Sequence, residues 1–429
     1  MGQLCCNYKI SIYRLIDVCT SGQKGMVKEM KYLVLLCDGM SDYPVEELSG
    51  KTPMEVANKP VMDSLAAHAE VGLLKTVADG LKPGSDVANL SVMGYDPAVC
   101  YAGRSPLEAA SIGIDLAPTD VATRCNLVTL SDDEIFENKT MVDYCADDIS
   151  TEEADILIKY LQKMLGDEEF SFYTGVSYRH CLVWSNAPED VGTTTPPHDI
   201  TLQKITNYLP QNERFLDLTK KSYELLRNHP LNLERIKKGH RPANSIWLWG
   251  SGRKKPLEDF GAKYGVKGSV ISAVDLIKGI GRLANLEVLH VEGATGYIDT
   301  NFEGKAKACI DAFARGQDFV YLHVEAPDEC GHRAEVQNKV RSIEYIDSHI
   351  LAPIIKALAR YDDYKIMILP DHATPLSVRT HVNDPVPYLI YHKQLEIDSG
   401  VTTFCEKTSA QTGVYYDIGH EQMARFLKD

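Results

Sequence analysis

Two hydrophobic rhythms alternate along most of this chain. One rhythm is the short continuous apolar run; Tyr32-Leu33-Val34-Leu35-Leu36-Cys37, for example, ends in an acid and a glycine, Asp38-Gly39. Buried parallel strands read this way when they deliver a side chain to the carboxyl edge of a sheet. Between such runs lie stretches with apolar residues at helical spacing. The pattern predicts a helix over Val61 to Ala69, a strand over Val71 to Val77 and a helix over Pro106 to Ile112. One stretch, KPGSDVANLSVMGYDP, sets Ser85 directly after Pro83-Gly84 and before the periodic Val87, Leu90, Val92 and Met93, closing at Gly94. That spacing predicts a turn, a helix with Ser85 in its first turn, and a glycine stop. A serine there is ordinarily only a cap. A hydroxyl beside unpaired N–H groups at the positive end of a helix is also a ready place for a phosphate.

From about Val121 the texture changes. Strand-like ATRCNLVTL leads into turn-rich sequence and a helix from Ser150, where Ser150 and Glu153 have the spacing of a capping box. The strand-like FSFYT and YRHCLVW follow, then the proline-rich TTTPPHD and a helix near Leu218 to Asn228. Proline, glycine and charge cluster again at Lys237-Lys238-Gly239-His240-Arg241-Pro242, read as the exit of an insertion. After Asn244 the alternation resumes through SIWLWG, GSVIS, a helix through Lys278, LEVLHV, FVYLHVE, a long helix and KIMILPDHA. Strands alternating with helices predict an α/β fold with a doubly wound, mostly parallel sheet. The expected organisation is a main domain over 26–118 and 242–429, with a smaller α+β domain inserted at 119–241.

Composition narrows the function. A net charge of -15 over 429 residues argues against nucleic acid as a partner, since phosphate backbones demand a basic surface. The eleven cysteines are odd in number and form no C-x-x-C pair, which suits a reducing cytoplasm. No apolar run approaches the roughly 20 residues of a membrane span. Residues 1–25 are expected to lie outside the fold. Their ISIYRLIDV run is broken by Arg14 and Asp17, and Met26 and Met30 stand just upstream of the first strand as alternative starts. Met1-Gly2 with Cys5-Cys6 superficially resembles an acylation site, but Cys6 stands where Ser or Thr is required.

Acids and histidines gather just past the later strands. FVYLHVEAPDECGHR gives Asp328 and His332, KIMILPDHA gives Asp371 and His372, and SVRTHVNDPVP gives His381. With Asp38 and Ser85 these offer oxygen and nitrogen donors enough for two adjacent divalent ions. Mn²⁺, Zn²⁺, Co²⁺ and Mg²⁺ suit such ligands, the nitrogens favouring the first three. His68, His229, His349, His392 and His420 lie on helical or surface-like sequence and read as structural, while His290 and His323 lie inside strand runs and read as core. KGIGR holds only part of a dinucleotide fingerprint, no segment matches a P-loop, and no G-x-S-x-G elbow surrounds Ser85.

LLCDGMSD, PGSDVANLSVMGYDP, AGRSPLEAASIGI, TRCNLVTL, VEGATGYIDTN, EAPDECGH, PDHATP and HVNDPVP, taken in order, resemble the archaeal-type cofactor-independent phosphoglycerate mutases of the alkaline phosphatase superfamily. The resemblance runs from about Lys31 to the C-terminus. It implies an alkaline-phosphatase-like fold and the interconversion of 3-phosphoglycerate and 2-phosphoglycerate without 2,3-bisphosphoglycerate, in glycolysis and gluconeogenesis. It makes Ser85 the nucleophile that carries the phosphoryl group. Asp38, Ser85, Asp371 and His372 match the ligands of one metal, and Asp328, His332 and His381 those of the other. A mutase must also hold the free glycerate and exchange protons with its hydroxyls. Arg124, Arg179, His180, His198 and Arg253 are the candidates to bind substrate, with Arg104 behind them, and Lys278 and Asp199 to act as acid or base. A phosphatase, another phosphomutase or a homoserine phosphotransferase would share the scaffold and metals. A degenerate binding protein would be expected to have lost at least one ligand. The partner expected is a small phosphorylated acid, with no nucleic acid or membrane; a homo-oligomer is open.

Overall fold

The computed structural model describes residues 29–428; the expectations for residues 1–25 fall outside these. An eight-stranded sheet forms the main layer. From one edge its strands run Tyr415–Tyr416, Glu70–Leu74, Val386–His392, Asp363–Leu369, Met30–Cys37, Phe319–Val324, Gly268–Ile271 and Glu287–Leu289. Only Val386–His392 runs against its neighbours; the other pairings are parallel. The continuous apolar run of Met30–Cys37 is explained by burial on both faces. Leu33, Leu35 and Cys37 pack with the helices Pro60–Ala67 and Phe302–Ala314, while Val34 and Leu36 face Ser85–Val92 and Asp275–Leu283. A strand half exposed to water would have alternated instead.

A second, antiparallel sheet is built around the strand Val121–Leu130, which pairs with Met141–Asp143, Arg179–Trp184 and Ser245–Arg253; Phe170–Val176 pairs with Arg179–Trp184. Helices Thr151–Leu165 and Glu213–Leu226 cover one face through Leu157, Leu161, Phe215 and Leu226. The other face looks back toward the main layer.

The sequence expectation for SIWLWG is corrected here. The strand–helix alternation places it in the returning parallel sheet, but Ser245–Arg253 pairs antiparallel with Val121–Leu130 along almost its whole length. A near-continuous apolar run looks the same in either sheet, so the run alone cannot name its partner. The exit of the small sheet therefore lies beyond Arg253 rather than at 241. Two smaller readings also change. Ser150 accepts the Glu153 N–H at 3.2 Å, but the Glu153 carboxylate pairs with Arg235 instead of closing the box. LEVLHV forms a strand only over Glu287–Leu289, leaving the His290 side chain 83% exposed rather than in the core.

Candidate active site

Three adjacent parallel strands deliver the acids. Asp38 follows Met30–Cys37, Asp371 and His372 follow Asp363–Leu369, and Phe319–Val324 leads into the helix Ala326–His332 that carries Asp328 and His332. This is the carboxyl edge where α/β sheets hold ligands. Ser85 is the first residue of the helix Ser85–Val92; Gly84, not Ser85, occupies the cap position. The serine hydroxyl is thus not consumed in capping.

Ser85 Oγ lies 3.2 Å from His372 Nε2. That nitrogen is 3.4 Å from Asp371 Oδ2 and 3.6 Å from Asp38 Oδ1. Beside this group, His332 Nε2 stands 3.2 Å from Asp328 Oδ2 and 3.0 Å from His381 Nε2, and His381 Nε2 is 3.6 Å from Asp328 Oδ1. The His372 and His381 rings are 4.0 Å apart, joining the two groups. Donor atoms of Asp38, Asp371 and His372, and of Asp328, His372 and His381, converge closely enough to share an ion. One atom speaks directly for a cation: Asp38 Oδ1 is buried without a hydrogen-bond partner among the described residues. An orphaned carboxylate oxygen is costly unless a positive charge satisfies it.

The charges agree with that reading. Burial, with Asp371 and Asp328 close by, pushes the Asp38 carboxyl well above its usual range. Burial also disfavours the charged form of Asp328, yet hydrogen bonds from His332 and His381 hold its carboxyl well below the usual range. The Asp328 hydrogen bond lifts His332 to about 9, while burial lowers His372. Crowded carboxylates and imidazoles of this kind suit Mn²⁺, Zn²⁺ or Co²⁺, and also Mg²⁺.

A supporting layer holds these side chains in place, and sequence reading missed it. His323 Nε2 lies 2.9 Å from Asp38 Oδ2. Asn89, one turn after Ser85, donates to both Ser85 O and Asp371 Oδ2 at 2.8 Å and accepts from Tyr321 Oη at 2.6 Å. Thr374 Oγ1 donates to Asp328 Oδ1. The only sequence signal was proximity: Asn89 stands at i+4 from Ser85, and Thr374 two residues past His372.

Between the two sheets lies a cleft of about 470 Å³, bordered by Arg104, Arg124, Arg179 and His198, and by Asp275 and Glu325 from the main layer. Arg124 and Arg179 share the cleft face of the small sheet, since Arg179 pairs with Asn126, two residues from Arg124. The His198 ring meets Trp249 at 5.5 Å and Tyr144 at 6.0 Å. Lys278 is tied at 3.1 Å to Asp275, one turn earlier on its helix. Asp199 is exposed beside His198, 3.6 Å from its Nε2. Glu325, which sequence reading passed over, is lifted to about 8 by burial and by neighbouring Asp328.

Two candidates are corrected. His180 pairs with Cys125 on the helix-covered face, its Nδ1 accepts the Gly175 N–H at 3.1 Å, and burial depresses it to about 3. It borders the cleft wall but its neutral ring stands behind the sheet, because strand alternation turns it away from Arg179. Arg253 donates to the carbonyls of Thr119, Ala187 and Pro188, fastening the end of its strand to two loops instead of facing the cleft.

Fold and site together define an α/β protein whose clustered carboxylates and imidazoles converge beside a serine hydroxyl closely enough to share a divalent ion. A family model described as 2,3-bisphosphoglycerate-independent phosphoglycerate mutase matches residues 66–232. A Methanosarcina barkeri 2,3-bisphosphoglycerate-independent phosphoglycerate mutase is 51% identical over 391 residues, covering 90% of this chain and 96% of the relative. Among solved structures, a Pyrococcus horikoshii protein is similar at 30% identity and a TM-score of 0.77, over 94% of this chain and 97% of that one. The cofactor-independent phosphoglycerate mutase of Thermoplasma acidophilum shares the fold at 24% identity and a TM-score of 0.65, over 94% of this chain and 100% of that one. The chain belongs to the 2,3-bisphosphoglycerate-independent phosphoglycerate mutase family.

Proposed function

We propose that this protein interconverts 3-phosphoglycerate and 2-phosphoglycerate through a phosphoserine at Ser85, without 2,3-bisphosphoglycerate. The observation that carries this reading is the Ser85 hydroxyl, free at a helix N-terminus and 3.2 Å from His372 above a cluster with an orphaned Asp38 oxygen. Asp38, Ser85, Asp371 and His372 would hold one divalent cation and Asp328, His332 and His381 the other, Mn²⁺ being the preferred ion. Such ions, when bound, make a serine hydroxyl more acidic and balance the charge of a phosphoryl group in flight.

The chain's own part is attack and retention. Ser85 Oγ forms a bond to phosphorus as the ester oxygen of the substrate leaves with a proton. Arg124, Arg179 and His198 keep the resulting glycerate in the cleft by its carboxylate. Its other hydroxyl then takes the phosphoryl group back, freeing Ser85. Lys278 and Asp199 remain candidates for the proton exchanges. The small sheet and its helices, now including Ser245–Arg253, form the substrate-side half. Among the described residues no helix is long and apolar enough to cross a membrane. All the described cysteines are free, in keeping with a reducing cytoplasm.

Phosphorus NMR with 3-phosphoglycerate and Mn²⁺ tests the reading. The expected result is a 2-phosphoglycerate signal that chelator abolishes and that Ser85→Ala, still folded, cannot produce. Inorganic phosphate alone would replace the mutase by a phosphatase. No change at all would turn attention to other acceptors such as homoserine.

A further inference from the structure

We propose that Glu108 and Trp249 clamp Arg124 across the cleft, so that the outer edge of its guanidinium is held ready for an anionic group of the substrate. This rests on the phosphoglycerate reading above. Arg124 belongs to the small sheet, whereas Glu108 lies on the helix Ser105–Ser111, packed so closely on Asp275–Leu283 that a Cβ on Gly279 would fall 1.9 Å from Leu107 O. The ion pair therefore joins the two walls. Arg124 Nε donates to Glu108 Oε2 at 2.7 Å, and Nη2 donates to Oε1 in parallel. The guanidinium carbon also sits 4.3 Å from the Trp249 ring centre. Trp249 is itself pinned, its Nε1–H reaching Asn126 Oδ1 at 3.0 Å, and Asn126 donates to Tyr144 O at 3.3 Å.

A guanidinium carries five donors in a rigid fork. Glu108 takes the Nε side, which leaves the Nη1 pair and the second Nη2 hydrogen without partners among the described residues. Arg124, Glu108, Trp249 and Asn126 all border the same cavity, so that free edge is presented to it. The other arginines of the cleft are held less firmly. Arg104 reaches Glu108 only at 3.8 Å with its side chain 48% exposed, and Arg179 leans on Tyr178 at 5.6 Å. A side chain already fixed in its working orientation loses little entropy when the ligand arrives. Glu108 and Trp249 are positioning residues: they act through Arg124. The opposite role, a carboxylate that competes with substrate for Arg124, predicts the opposite sign.

Steady-state kinetics with 3-phosphoglycerate at saturating Mn²⁺ separate the two. Glu108→Gln keeps the side-chain volume but removes the charge and one acceptor, and should raise KM about tenfold with a much smaller change in kcat, the scale of a lost charged hydrogen bond. Trp249→Leu should act in the same direction, and Trp249→Phe, which restores a ring under Arg124, should recover most of the loss. The double variant Glu108→Gln/Arg124→Ala should be no worse than Arg124→Ala alone. Unchanged or lowered KM in Glu108→Gln, or additive losses in the double variant, would overturn the clamp. A wild-type protein that forms no 2-phosphoglycerate would remove the reading beneath it, whereas an active enzyme indifferent to Glu108→Gln would remove the clamp alone.

Discussion

His323 sits fully buried in the strand Phe319–Val324, with Nε2 2.9 Å from Asp38 Oδ2 and Nδ1 3.1 Å from Ser272 Oγ. Burial lowers it to about 3, so the ring is neutral near pH 7. When Asp38 is ionised, as beside a bound cation, it can only accept; Nε2 then carries the proton and Nδ1 accepts from Ser272. The Nε2 bond turns Asp38 so that Oδ1 faces His372 Nε2, 3.6 Å away. His323→Phe keeps a buried ring and removes the donor; it should weaken cation affinity by roughly 10–100-fold, as partners of metal ligands do. Activity titrated against Mn²⁺ would show a raised half-saturation point with activity recovered at high Mn²⁺. An unaltered titration would reduce His323 to a core residue. The sequence placed His323 inside a strand and read it as core, and the ring is indeed enclosed there. Its bond to Asp38 depends on the register Leu36↔His323 between strands almost 300 residues apart, which no local pattern encodes. The acids Asp38, Asp328 and Asp371 were easier to see, since each follows an apolar run in its own segment.

At the scale of elements, the turn after Met30–Cys37 shows how tightly the strand ends are packed. Gly39 has φ +58, and a Cβ there would lie 2.6 Å from both Asp328 Oδ1 and Thr374 Oγ1. Gly39→Ala should cost about 1–3 kcal/mol in backbone strain alone. It should also displace Asp328, so bound metal and turnover should fall further than the drop in the denaturant midpoint explains. A variant with normal metal content and full turnover would show that the turn relaxes without moving its neighbour. Helix and strand types were legible because burial on one or both faces leaves a period in the sequence. Sheet membership was not. Ser245–Arg253 follows a polar, proline-containing link that resembles a return to the main domain, yet it completes the small sheet, and Arg253 ends up bonded to loop carbonyls. The same limit explains His180: its neighbours Arg179 and Cys181 face the cleft, and only the pairing with Cys125 reveals that it does not.

For the molecule as a whole, gathering carboxylates and imidazoles at one end of the central sheet makes stability depend on pH and on the cation together. In the metal-free protein Glu325 is raised to about 8, chiefly by burial, and His332 to about 9, chiefly by its hydrogen bond to Asp328. Both groups bind protons more tightly folded than unfolded. Their stabilisation is complete below the ordinary values of 4.5 and 6.5 and is lost as pH rises through 8 and 9. Asp38, also raised, acts in the same sense. His180 and His323, both lowered to about 3, act the other way, but their contribution is gained between about 3 and 6.5. Buried Lys305, lowered to about 8, also opposes the loss, but only above that pH. Between pH 6.5 and 8 the metal-free protein should therefore lose Tm steadily. Cations compete with protons for His332 and Asp38, so Mn²⁺ should bind more tightly across the same interval. Calorimetric melts with chelator and with Mn²⁺ should diverge as pH rises from 6.5 to 8, the metal-free Tm falling and the difference widening. A metal-free Tm that holds level or climbs would mean that these groups are not coupled to folding through charge. A difference that narrows would place the cation away from His332 and Asp38.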